Sequence, residues 1–361
     1  MQVGIIGLPY SGKSTLFDTL LKHISQDESG KFKTETERGV VKVPDSRLDF
    51  LSSLFNPKKT VYATIEYVKV PGLDKEGHKG KGFSPLFLTN LKNVDVLLIM
   101  IRDFENELYP HPSGNIDPKR DMSFIETEFI LNDYAIAENR IAKLEKLVMK
   151  TQDPKDKREL DVLRKCMEHL EGEYPLRTLS LDETEKNAIR GFQFLSEKPV
   201  LFTLNIAEED IPNTEQIIKK WDQEISLNCT ITALSAEIEK EIAELNPPDA
   251  EIFLKDLGIS EPALIKLLHA SYDLLGLGSF FTYSENECRA WTFHRGINAQ
   301  KAAGLIHSDM ERGFIRAEVV SFEILREMGS IQACKEKGLV RLEGKDYIVQ
   351  DGDIILIRFN V

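Results

Sequence analysis

No apolar run in this sequence approaches the ~18 residues that a membrane-crossing helix needs, and no membrane partner is expected. Cysteine is scarce: Cys166, Cys229, Cys288 and Cys334 stand far apart. None has the close spacing of a metal site, so they read as reduced thiols of a cytoplasmic protein. The amino terminus enters a strand-like run directly, without the layout of a secretory leader. An excess of positive charge is also missing. The net charge of −13 argues against a chain that is basic over its whole surface, and leaves room for a local basic patch. What is present is 361 residues, 42% hydrophobic and 29% charged, enough for roughly two to three domains with packed cores.

The strongest positive signal is Gly7-Leu8-Pro9-Tyr10-Ser11-Gly12-Lys13-Ser14, a G-x-x-x-x-G-K-S phosphate-binding loop. It follows the apolar run Val3-Gly4-Ile5-Ile6 and precedes the helix-like Thr15-Leu16-Phe17, the strand–loop–helix setting that the motif requires. Backbone N–H groups at the helix start face an anion, and the helix dipole favours negative charge there. Lys13 adds a point charge for β- and γ-phosphates, and the Ser14 hydroxyl can ligate Mg²⁺.

Strand and helix signals alternate from Met1 to about Asn115, and Leu97 to Ile101 reads as a parallel strand buried on both faces. Pro199 to Asn205 and Cys229 to Leu234 repeat that pattern. The fold class is therefore α/β, a doubly wound parallel sheet. Near Asp121 the period changes. Ser123 and Glu126 fit a capping box, and apolar residues recur at Ile130, Tyr134, Ala137, Ile141, Leu144 and Val148. After Thr151-Gln152-Asp153-Pro154, a second seam runs through Leu160, Leu163, Met167 and Leu170. Two such seams predict an antiparallel helical hairpin with arms of ~30 Å, inserted into the α/β domain. Lysine and arginine outnumber acids between 140 and 165. That surplus is either a solvated coiled-coil surface or a basic finger for RNA. Beyond about Gly276 a small mixed α+β domain is expected: a strand at Arg289–Phe293, a helix from about Ala299 to His307, and a strand at Ile315–Val320. A β-hairpin around Asp351-Gly352-Asp353 completes it.

Guanine-selective phosphate-loop proteins carry Asn-Lys-x-Asp after a late strand. Here that place holds Asn205-Ile206-Ala207-Glu208. The Lys is absent and a longer Glu replaces the Asp, which weakens guanine selection and opens the site to adenine. Alone, Asn-x-x-Glu is equally a turn or a helix start; its place after an apolar strand raises it. Ser235-Ala236-Glu237 follows the next strand, as a second base-contacting loop would.

Taken with these segments, the chain resembles the YchF/Obg-like ATPase family over nearly its whole length. The matching segments are Gly7 to Phe17, Gly39 to Val41, Val43 to Leu48, Gly72-Leu73, His111 with Ser113-Gly114, Asn205 to Glu208 and Ser235-Ala236. Further matches are Arg289 to Thr292, Lys301 to Ala303, Ile306-His307, Gly313 to Val319 and Leu342 to Asp353. The resemblance implies a G domain at 1–122 and 196–276, a coiled-coil insertion at 123–195, and a C-terminal β-grasp (TGS) domain at 277–361. It implies ATP binding in preference to GTP, slow hydrolysis, and association with the ribosome or RNA through the insertion and the TGS domain. A monomer is expected. Nucleotide contacts fall on Gly7, Pro9, Tyr10, Ser11, Gly12, Lys13, Ser14 and Thr15, and on Asn205, Ile206, Glu208, Ser235 and Ala236. Ser14 is the expected metal ligand. The resemblance also assigns catalysis to His111, with Leu73 where many GTPases carry a water-positioning Gln. Read alone, His111 is an ordinary loop histidine.

Three departures bear on mechanism. The family's switch II Asp, which holds Mg²⁺ through water, is Lys69 here; that cation either contacts phosphate or points to solvent. The metal-ligating Thr of switch I falls on Lys33, with Thr34 one residue away. Tyr10 and Ser11 replace the family's Asn-Val. The expectation is a nucleotide-binding protein that hydrolyses slowly or with weak Mg²⁺ dependence. The alternatives are a nucleotide-gated adaptor with little hydrolysis and a GTP-binding GTPase.

Overall fold

The computed structural model describes residues 1–24, 37–70, 83–222 and 229–360. The chain begins β1 (Gln2–Gly7), α1 (Lys13–Ile24), β2 (Glu37–Lys42), α2 (Ser46–Phe55), β3 (Lys59–Val61) and β4 (Thr64–Lys69). It continues α3 (Pro85–Lys92), β5 (Val96–Asp103), α4 (Pro118–Thr151), α5 (Pro154–Glu171), α6 (Glu183–Ile189) and β6 (Val200–Ile206). Then come α7 (Thr214–Asp222), β7 (Cys229–Leu234), α8 (Ala236–Glu244), α9 (Pro247–Asp256) and α10 (Ala263–Leu274). The last stretch holds β8 (Leu277–Tyr283), β9 (Glu287–His294), α11 (Ala299–Ile306), α12 (Ser308–Arg312) and β10 (Phe314–Ser321). It ends α13 (Phe322–Met328), α14 (Ile331–Glu336), β11 (Arg341–Glu343) and β12 (Asp353–Phe359). No described helix is long and apolar enough to cross a membrane.

Two compact units form. The first comprises residues 1–39 and 66–274. Its sheet has the order β2-β4-β1-β5-β6-β7, and every pairing from β4 to β7 is parallel. The central strands are apolar along their length because helices cover both faces: every residue of β6, and every residue of β5 but Asp103, is buried. This is the doubly wound sheet expected from the alternating signals.

The helical hairpin, α4 and α5, belongs to the same unit. Ile130, Ala137, Ile141 and Leu144 pack on Leu160, Leu163 and Leu170, with Tyr134, Val148 and Met167 partly buried beside them. The turn works as its residues demand. Gln152 takes a left-handed conformation at φ 54°, the Asp153 carboxylate accepts from Lys155 N at 2.8 Å, and Pro154 opens α5. The expected start was wrong. Ser123 does not cap the helix; it lies inside α4. Asp117 is the cap, accepting from Arg120 N at 3.0 Å, and Pro118 follows at the first helical position, where its missing N–H costs nothing. With 34 residues α4 is ~50 Å long, well beyond the arm expected. Its anchor is Asp133, fully buried, whose carboxylate accepts from Leu195 N (3.1 Å), Ser196 N (2.7 Å) and Ser196 Oγ (2.7 Å). These bonds tie the hairpin to the segment leading into β6. Hydrogen bonds to a charged group contribute about 1.5–3 kcal/mol each.

The second unit comprises residues 40–65 and 275–361. Its sheet runs β11-β10-β12-β8-β9-β3, with α11 packed through Ala299, Ala302 and Ala303 onto Phe280, Phe293 and Val319. Residues near the amino terminus are therefore built into a mostly C-terminal unit. β3 adds to the edge of β9 in parallel, and Arg47 pairs with Asp45 at 2.8 Å and Asp351 at 2.7 Å. The strands around Arg289–Phe293 and Ile315–Val320 and the helix at Ala299 form where expected, within a residue or two. The hairpin around Asp351-Gly352-Asp353 does not form. Residues 347–350 are committed elsewhere: Val349 N donates to Ile297 O at 3.0 Å, and Tyr347 Oη and Gln350 N both donate to Asp353 Oδ2. β12 instead pairs antiparallel with β10 and parallel with β8.

Candidate nucleotide-binding site

β1 ends at Gly7, where φ is +150° and an added Cβ would lie 2.4 Å from Met100 O. Glycine lets the chain turn off the sheet against β5. Gly12 is held equally tightly: φ is +97° and a Cβ there would lie 2.2 Å from Asn205 Nδ2. α1 begins one residue later, so its free N–H groups and positive dipole end face the loop. Lys13 Nζ curls over the loop and donates to Gly7 O at 2.6 Å and Leu8 O at 2.8 Å. Burial, reinforced by the neighbouring Lys69 ammonium, lowers its pKa to about 8. Ser14 is exposed at the helix start, and Thr15 is half-buried.

Asn205, at the end of β6, is buried and spends both ends of its amide on loops. Nδ2 donates to Ser11 O at 3.1 Å, and Oδ1 accepts from Ala236 N at 2.9 Å. The side chain expected to contact a base is thus the brace between the phosphate loop and the Ser235-Ala236 loop. Around it opens a cleft of ≈ 620 Å³. Tyr10, Ser11, Gly12, Lys13, Ser14 and Thr15 line one end, and Asn205, Ile206, Glu208, Ser235 and Ala236 line the other. Gly7 and Pro9 belong to the loop but not to the cleft wall. Sequence reasoning missed the residues between the two ends, Arg102, Phe104, Glu105, Asn106 and Tyr109, and the α8 residues Ile238 and Glu241; Glu237, expected in the second base-side loop, also lines the cleft. One signal was available: Arg102 directly ends an unbroken apolar strand, where a buried charge demands a purpose.

His111 does not reach the cleft wall. It is buried on the loop before α4, with Nε2 2.9 Å from Asp121 Oδ2. The pair is close but misaligned, and neither atom meets hydrogen-bond geometry. Nδ1 accepts from Ser113 N at 3.2 Å. Burial lowers the imidazole pKa, against the opposing pull of Asp121.

Lys69, at the end of β4, does not point freely into solvent. It pairs with Glu37 at 2.9 Å, and Nζ stands 5.6 Å from the centre of the Phe17 ring. The remaining switch positions, Lys33, Thr34 and Gly72-Leu73, lie outside the described residues. Among the described residues no group of three His, Cys, Asp or Glu could hold a metal ion. Ser14 is the single expected ligand present, with an ammonium where a carboxylate would serve the ion's water shell.

A doubly wound sheet with this loop between β1 and α1, and with base-side loops after β6 and β7, defines a P-loop nucleotide-binding protein. Comparison with known proteins narrows the class. Residues 2–158 match the family described as 50S ribosome-binding GTPase, and residues 277–360 match the YchF GTPase C-terminal family, described as a protein of unknown function. The chain is 40% identical over 365 residues to the ribosome-binding ATPase YchF of Bacillus subtilis, covering 100% of both chains. It is 41% identical over 361 residues to the ribosome-binding ATPase YchF of Haemophilus ducreyi, covering 100% of this chain and 99% of the other. The solved structure of the Schizosaccharomyces pombe YchF GTPase superposes with a TM-score of 0.87 at 28% identity, over 99% of this chain and 97% of that one. The chain belongs to the YchF family.

The lowered Lys13 pKa makes phosphate binding proton-linked. An anion beside the ammonium raises its pKa again, so binding takes up a proton wherever free Lys13 is neutral. Affinity therefore falls as pH rises above 8. Titration calorimetry in buffers of different ionisation enthalpy should show uptake of roughly 0.9 proton at pH 9 and roughly 0.1 at pH 7. Equal uptake at both values would contradict this account of Lys13.

Proposed function

We propose that this chain is a ribosome-associated ATPase that binds ATP in preference to GTP and hydrolyses it slowly, with little help from a protein-held metal ion. The observation that carries the reading is the single cleft joining Lys13 and Ser14 to Asn205, Glu208 and Ala236, in a chain alike over its whole length to ribosome-binding ATPases. At the base end the cleft presents the carboxylates Glu208, Glu237 and Glu241 and no basic side chain. A carboxylate accepts from the amino group of adenine as well as from the N–H groups of guanine, so the adenine preference rests on the two departures at this place: the longer Glu208 instead of Asp, and no Lys stem to cover the base. Lys69 beside Lys13 supplies positive charge of the kind a metal would otherwise bring to the phosphates.

The ribosome side of the reading is supported by the tip of the α4–α5 hairpin. Along the hairpin's flanks three of the basic residues are paired: Arg140 with Glu159, Arg164 with Glu145, and Lys165 with Glu185. At the tip, Lys150, Lys155 and Lys157 are exposed and have no acidic partner among the described residues. Such a local cation cluster on a −13 chain suits a polyanionic surface.

A second reading, a nucleotide-gated adaptor with little hydrolysis, is favoured by one observation: His111 lies buried against Asp121, away from the cleft wall. An imidazole must come within hydrogen-bond reach of the attacking water to act as a base.

Competition of ATP and GTP against a fluorescent adenine nucleotide should show ATP binding about tenfold more tightly or better, a difference of ~1.4 kcal/mol. Preferential displacement by GTP would overturn the adenine assignment. Single-turnover hydrolysis separates the two readings: His111→Ala slows an ATPase by about 10²-fold, whereas an adaptor's residual rate does not change.

A further inference from the structure

A ligand that reaches from the phosphate loop to the base-side loops must cross the end of β5. The sheet order places β5 between β1, which carries the phosphate loop, and β6, which carries Asn205. The wall at that crossing is aromatic. Phe104 and Tyr109 line the cleft from the β5 side, and Tyr10 lines it from the phosphate loop. The Tyr10 and Tyr109 rings meet with centroids 5.4 Å apart and planes tilted by 34°. Both stay largely exposed, at 43% and 54%.

Two further features show that this pair is held in place. Tyr10 has φ +63°, a left-handed conformation unfavourable for a bulky side chain and usually retained at functional sites. Tyr109 is positioned by Arg102, which is 2% exposed. Its Nη1 donates to Tyr109 O at 2.7 Å and its Nε to Phe104 O at 3.0 Å. The guanidinium also lies 4.6 Å from the centre of the Phe104 ring. Its Nη2 is buried without a hydrogen-bond partner. A buried cation is expensive unless its bonds achieve something; here they staple an aromatic loop over the strand end.

We propose that Tyr10 and Tyr109 form an aromatic bracket that packs against the nucleoside of the bound nucleotide, with Arg102 as the residue that positions it. The inference rests on the nucleotide reading above and adds a specificity element to it. A ring cannot enter between the two tyrosines, since a sandwich needs ~7 Å between outer ring centres. The base or ribose therefore packs on the flank of the pair, while the loop N–H groups and Lys13 hold the phosphates. Such a bracket distinguishes a nucleotide from a bare polyphosphate and tolerates either purine, because every base has a π-face. Selection between purines stays with the base end of the cleft.

The test compares ATP with inorganic tripolyphosphate by titration calorimetry on the full chain. Tyr10→Asn is suitable because asparagine accepts the left-handed conformation, and Tyr109→Ala removes the partner ring without touching the phosphate loop. Both variants should bind ATP about tenfold more weakly, and Tyr109→Ala, which lies outside the phosphate loop, should bind tripolyphosphate within about twofold of wild type. The proposal is overturned if ATP affinity survives both substitutions, or if tripolyphosphate binding to Tyr109→Ala falls in parallel. Wild-type protein that binds tripolyphosphate as tightly as ATP would remove the bracket and leave the phosphate site standing. Wild-type protein that binds neither would remove the nucleotide reading itself.

Discussion

The site depends on one buried amide. Asn205 donates to Ser11 O and accepts from Ala236 N, joining, from the end of β6, the loops that follow β1 and β7. Each partner is a backbone group that would otherwise be buried without a hydrogen bond, at a cost of about 1–3 kcal/mol. The same contact explains Gly12. With Asn205 Nδ2 only 2.2 Å from the position of a Cβ, and φ at +97°, any other residue there would displace the bracing amide and strain the backbone. The cleft is therefore assembled by the sheet rather than by the loops that line it. β1, β5, β6 and β7 end side by side, and Asn205 locks the distance between phosphate end and base end.

Onto this frame the chain places an unusual distribution of charge. Burial, and after it the neighbouring Lys69 ammonium, disfavours the charge of Lys13. Glu37 holds Lys69, and the Phe17 ring lies beneath it. The chain thus combines a conventional phosphate loop with a lysine, Lys69, at the place where the resemblance puts a carboxylate. His111 stands beside Asp121, away from the cleft wall.

Much of this was legible in the residues. The phosphate loop announces itself because its glycines and lysine are needed by local backbone geometry and charge, which any reader of the chain can see. The α4–α5 seams were equally clear, since Ile130 to Leu144 and Leu160 to Leu170 repeat at helical spacing and pack together. What escaped has no sequence pattern. Arg102 and Tyr109 are near in the chain, but they matter through hydrogen bonds from a side chain to loop carbonyls, which no motif marks. Residues 40–65 join the C-terminal unit through an edge strand of three residues, β3, and through Arg47 reaching Asp351, and neither has a sequence pattern. The Asp351-Gly352-Asp353 turn misled because its signature is common to turns of any topology. Ser123 misled because Asp117-Pro118 offered a stronger helix start six residues earlier.

The central claim is that the protein's own cations, Lys13 and Lys69, neutralise the nucleotide's phosphates in place of a protein-held metal ion. The direct measurement is ATP affinity in Mg²⁺ and in EDTA, for wild type and for Lys69→Asp. The account predicts that EDTA changes wild-type affinity by less than about tenfold. It also predicts that Lys69→Asp binds weakly in EDTA and recovers with Mg²⁺. Wild-type binding that vanishes in EDTA, or a Lys69→Asp variant that binds as wild type in both conditions, would contradict it.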